Sequence, residues 1–151
     1  MVLMTGVGFT AASDEPKCDK QQAVAKALDS FSGSWEIVKM SPDGAKGAKR
    51  LLFKRDGTYA AVDEEGKKLW VGMFEIYPTA NPNMWDHRSR AGTKRGSGVP
   101  GIYELGADSL KMACVVGQCR GEEWVGKGRP KTFDPRVADV VIEMRRANTN
   151  E

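Results

Sequence analysis

The stretch Gly33-Ser34-Trp35, within residues 31–40 (FSGSWEIVKM), is where the periodicity of this chain changes. Before it, Val24, Ala27, Leu28 and Phe31 recur at i, i+3, i+4 and i+7, drawing one apolar stripe along a helix. Asp14-Glu15-Pro16 supplies a capping carboxylate and a first-turn proline at the helix start. Gly33 stands where a left-handed residue ends a helix. The stripe is narrow, so residues 14–33 are expected to lie on the rest of the fold rather than inside it.

After Trp35 the period is two, and breakers arrive every eight to twelve residues. Residues 35–40 run into Ser41-Pro42-Asp43-Gly44, and Leu51 and Phe53 stop at the hairpin signal Asp56-Gly57. Residues 59–62 end at Asp63-Glu64-Glu65-Gly66. Residues 69–77 put Trp70, Gly72, Phe74 and Ile76 on one face, ahead of Pro78. Residues 84–89 follow, then a Gly-, Ser- and Lys-rich loop over 91–98. Residues 102–105 and 110–115 flank the turn Gly106-Ala107-Asp108-Ser109, with Leu110, Met112 and Cys114 sharing a face. Residues 122–125 read as a short strand. Val140, Ile142 and Met144 form the last one, with Arg146 on their face. The pattern predicts a mainly β fold: a small closed antiparallel barrel of about eight strands over residues 34–147, with one N-terminal helix and a disordered tail at 148–151. No repeat of 20–50 residues exists, which excludes solenoids and propellers.

Closure makes the first and last strands neighbours. Trp35 heads the first strand and Arg146 ends the last, so the guanidinium can stack on the indole and donate to backbone carbonyls. The pair is expected to close the base of the barrel.

A chain of 151 residues fits one domain with a real core. The net charge of +3 and a pI near 8.8 come from basic residues interspersed with carboxylates. That distribution lacks the concentrated stripe of a nucleic-acid binder. Residues 2–12 (VLMTGVGFTAA) are apolar or small and resemble the end of a signal peptide, with Thr10-Ala11-Ala12 as the cleavage site. Residues 1–13 are therefore expected to be a signal-peptide remnant of an exported protein, too short for a membrane-spanning helix. Three cysteines are present. Cys114 and Cys119 are spaced for a bridge across a hairpin, and Cys18 to Cys119 is equally allowed. No C-x-x-C occurs, which argues against a redox motif or a zinc knuckle.

His87 is the only histidine. It follows Asp86, but adjacent strand residues point to opposite faces, so the two are not expected to form a dyad. A surface or rim position is expected for it. Nucleophile motifs are absent, and Gly92–Gly98 (GTKRGSG) lacks the spacing of a phosphate loop. No metal site, cofactor or catalytic residue is expected. Trp70, Phe74, Trp85, Tyr103, Met112 and Trp124 are the candidates to line a cavity, against the alternative that they fill a core.

The chain also resembles the lipocalin-like domains of uncharacterised function common in planctomycete bacteria. The resemblance covers about 115 residues. It begins at Gly33-Ser34-Trp35 and runs through Phe53, Asp56-Gly57-Thr58-Tyr59 and Gly72-Met73-Phe74-Glu75-Ile76-Tyr77-Pro78, with Pro82 and Asp86 behind them. Gly101-Ile102-Tyr103-Glu104-Leu105, followed by Asp108-Ser109-Leu110-Lys111 and Cys114, is its most specific part. Arg129-Pro130, Phe133 and residues 140–146 look like its closing segment. The Cys119 insertion and the basic residues 88–95 depart from the pattern, so a disulfide would be particular to this chain. The resemblance implies a lipocalin-like (calycin-type) barrel and an envelope-associated, exported life, with no catalytic residues.

Two functions follow as expectations. One is an exported, non-catalytic module holding a small, mostly apolar ligand in the barrel mouth. The alternative is a cell-envelope interaction module that binds a protein or polysaccharide through its surface, with contacts at residues 88–95. An enzyme would need a polar cluster inside the barrel that the alternation does not show.

Overall fold

A computed structural model describes residues 15–41, 47–89, 98–115, 117–120 and 123–148, without the side chains of 15–18, 89, 117–120, 123 and 124. The expectations for residues 1–13, the Asp14 cap, the turn after Ser41, the loop over 91–97 and the tail over 149–151 lie outside these residues.

The helix α1 spans Glu15–Phe31. Ten strands follow: β1 Gly33–Ser41, β2 Arg50–Phe53, β3 Thr58–Val62, β4 Lys68–Tyr77, β5 Asn83–Ser89, β6 Val99–Leu105, β7 Ser109–Cys114, β8 Gly117–Arg120, β9 Glu123–Gly126 and β10 Val140–Arg146. Eight of them close into an antiparallel barrel in the order β1-β10-β7-β6-β5-β4-β3-β2. This is the mainly β, closed barrel with one helix that the strand spacing predicts. Strands β8 and β9 stand apart as a two-stranded sheet. Residues 117–120 and 123–126, which the sequence reading folds into the barrel, therefore leave it.

Turn chemistry sets the hairpins. Gly57 and Gly66 hold φ of 86° and 83°, which a side chain would strain, at the tips joining β2 to β3 and β3 to β4. Asp56 Oδ1 accepts from the Thr58 amide at 3.0 Å and its hydroxyl at 2.6 Å, pinning the first of these turns. In β1 the pairing with β10 slips between Ile37 and Lys39. The extra residue switches the inward set from odd to even numbers. Met40 is thereby buried, and Val38 is left 62% exposed.

The core fills the barrel from the base upward. Helix α1 lies half-buried along the outside, but Phe31 enters the base and is fully buried. Its ring packs against Phe53, Phe74 and Tyr103 with centroids 4.8, 5.4 and 5.2 Å away. The expectation that the helix stays wholly outside is corrected at this one residue. A second, smaller cluster lies on the outer wall. Ile102, Ala113 and Val141 form a row across β6, β7 and β10, covered by Ala138 and Phe133.

That cover is stapled down by Arg129. Its guanidinium donates to the carbonyls of Trp85 and Gly101 at 3.1 and 2.7 Å and pairs with Asp86 at 2.8 Å. Asp86 is the one buried charged residue among those described. Paired in this way, it ties residues 127–139 to β5 and β6.

Candidate binding site at the open end of the barrel

The two ends of the barrel are built differently. At the base, Trp35 pairs with Arg146 across the β1–β10 seam. The guanidinium lies 4.2 Å over the indole and donates to the carbonyls of Ser30 and Ser32 at 2.6 and 3.2 Å. The Trp35 indole N–H donates to the Phe31 carbonyl at 2.8 Å. The Trp35 indole N–H and the Arg146 guanidinium thus both have partners, and the ring itself is fully buried. This end is sealed.

Toward the opposite end the inward face carries Tyr59, Trp70, Trp85, His87 and Cys114. Two glycines make this layer possible. A Cβ on Gly72 would lie 2.6 Å from the Tyr59 ring, and one on Gly101 would lie 2.6 Å from the Ala113 carbonyl and collide with the Trp85 indole. Both rings lie flat over bare backbone. The Trp85 N–H reaches across Gly101 to the Ala113 carbonyl at 3.3 Å.

His87 shares the inner face with Trp85, two residues earlier on β5. Its ring stacks on Trp85 at 4.5 Å and 17°, and meets Tyr59 edge-on at 6.1 Å. The residue is half-buried, yet its Nδ1 is sheltered and has no hydrogen-bond partner among the described residues. Burial lowers its pKa from 6.5 to about 4, so the ring is neutral near pH 7. Burial also pushes the Tyr59 phenol up to about 12, against a bond from the Trp70 indole that pulls the other way. The Cys114 thiol likewise rises to about 12, chiefly through burial, with the Asp139 carboxylate adding to it. These three groups are therefore uncharged near pH 7.

The six cavity candidates divide. Phe74, Trp85, Tyr103 and Met112 are buried at 4, 4, 2 and 1% exposure within one continuous core. Phe74, Tyr103 and Met112 fill the lower barrel. Trp70 is half-buried at the upper layer. Trp124 lies in β9 opposite Cys119, in the separate two-stranded sheet, and its side chain is outside the described ones. Cys114 is a free, buried thiol, so it does not form the bridge to Cys119 that spacing allows. The Cys119 and Cys18 side chains are also outside the described set.

Expected at the surface or rim, His87 lies half-buried on the inner face, the face that its two-residue offset from Trp85 indicates. The expected separation from Asp86 holds, since Asp86 turns outward to Arg129.

Outside the barrel, a groove of about 530 Å³ runs between α1 and β4, past Val24, Leu28, Arg55, Met73, Glu75 and Tyr77. A second, of about 590 Å³, is lined by Glu36, Ile37, Lys49, Arg50, Glu64 and Asn148. Arg88, at the start of the basic segment, lies on the outer wall paired to Glu75 at 3.2 Å. Residues 90–95 are outside the described ones. Among the described residues no three His, Cys, Asp or Glu side chains converge to hold a metal ion, and no helix is long and apolar enough to cross a membrane.

No family model, curated protein or solved structure matches the chain.

Proposed function

We propose that this protein is a non-catalytic binding module that holds a small, mostly apolar molecule at the open end of its barrel. The observation that carries this reading is the asymmetry of the interior. The base is sealed by fully buried Phe31 and Trp35, whereas the upper layer keeps Tyr59, Trp70 and His87 half-buried. Aromatic walls with a few polar atoms are what apolar ligand sites use. The filled lower barrel limits such a ligand to a small one seated on the upper layer. Membership of the lipocalin-like domains it resembles, and export, belong to the same proposal, supported by the eight-stranded closure and the apolar stretch at residues 2–12. Titrating the full chain with a panel of aromatic and aliphatic ligands should quench tryptophan fluorescence saturably. A panel that gives no saturable signal removes the reading.

A surface-recognition role is the second reading, favoured by the charged groove at Glu36, Lys49, Arg50 and Glu64. An envelope protein or polysaccharide would be the partner. Charge reversal at Lys49 and Arg50 should then abolish capture of that partner from envelope extract, and unchanged capture would count against it.

A further inference from the structure

We propose that His87 selects the ligand of this site: its Nδ1 bonds a neutral, planar aromatic molecule that carries an N–H or O–H, such as an indole or a phenol. The inference rests on the binding reading above and adds the chemical class of the ligand.

Four observations converge. First, the imidazole sits on the inner face, held parallel to Trp85 and edge-on to Tyr59, so its orientation is set by packing rather than by a hydrogen bond. Second, Nδ1 is sheltered and finds no partner among the described residues. A buried nitrogen left unpaired destabilises a fold by about 1–3 kcal/mol, and native proteins leave few such atoms. A partner from outside the chain removes that penalty. Third, the residue as a whole is half-buried, so its ring lies at the edge of the mouth although Nδ1 itself is covered.

The fourth observation concerns charge. The groups that share this layer are the Tyr59 phenol, the Cys114 thiol and the Trp70 and Trp85 indoles, none of them cationic near pH 7. Arg88 and Arg129, the nearest described cations on or against β5, are paired to Glu75 and Asp86 on the outer wall. A carboxylate entering the mouth would lose its water and meet no counter-charge among the described residues, which is costly. A fatty acid is therefore a poor occupant. The flat surfaces of Trp85, Tyr59 and Trp70 suit a ring, and a neutral imidazole accepts one hydrogen bond from it.

The test compares indole with 1-methylindole, which keeps the ring and loses the donor, and with dodecanoate, using calorimetry on the full chain. Because His87 is the only histidine, its two ring nitrogens are read without ambiguity by ¹⁵N NMR. Indole should bind about tenfold or more tightly than 1-methylindole and shift one imidazole ¹⁵N resonance. His87→Phe should bring the two ligands to equal affinity, and His87→Gln, which keeps an acceptor, should retain the preference. Equal affinities without a ¹⁵N shift, or tightest binding of dodecanoate, overturn this inference and leave the binding reading intact. No saturable binding of any of the three, within the wider panel, removes both. Should His87→Phe fail to fold, the two indoles on the native chain decide the matter alone.

Discussion

Turning His87 inward denies the folded chain a proton that an exposed histidine would hold. With its pKa lowered from 6.5 to about 4, the unfolded chain binds a proton in that window that the folded chain does not. The stabilisation is complete above pH 6.5 and is lost as pH falls toward 4, amounting to about 3 kcal/mol. Urea unfolding from pH 7 to 4 should therefore show a steeper loss for the native protein than for His87→Phe, the difference isolating this group from the carboxylates. Parallel slopes would mean that the ring is solvated. The inward face of His87 was legible in its two-residue offset from Trp85. Its environment was not, because burial depends on Tyr59 and Gly72, which come from strands distant in sequence and carry no local sign of contact.

Among the elements, the eight barrel strands were readable because each alternates over five or more residues, or ends at a Gly- or Asp-containing turn. The sequence reading starts strand β6 at Ile102. It starts at Val99, and Gly101 is there to let the Trp85 indole cross. The four-residue strands β8 and β9 are too short for a period to decide their partner, so their separate sheet was not foreseen. Residues 127–139 show no periodicity at all, yet Arg129 makes them part of the wall. Arg129→Ala leaves the Asp86 carboxylate buried without its cation and should destabilise the fold by about 2 kcal/mol, between the values for exposed and buried pairs. Adding Asp86→Asn should recover part of that loss in a double-mutant cycle. If the two losses simply add, the pair contributes nothing through its contact.

For the molecule as a whole, closure removes every free edge from the eight barrel strands, and the helix end completes the core from below. Phe31 touches three aromatic rings from three different strands. Phe31→Ala should cost about 3–5 kcal/mol in denaturant unfolding. It should also release α1 from the wall, seen as lost amide protection over Glu15–Phe31. A small, local effect would show that the helix is dispensable to the core. The Trp35–Arg146 clasp has a mechanical side as well. The start of β1 and the end of β10 lie at the same pole of an antiparallel pair, so a pull on the flanking chain loads the seam one rung at a time, as a zip. Strands loaded in this way part at low force, because no set of bonds shares the load. The clasp over Ser30, Ser32 and Trp35 is the first rung. In an optical trap the protein should open at low force from this pole, and Arg146→Leu should lower that force further while leaving the opposite end of the barrel the last part to yield.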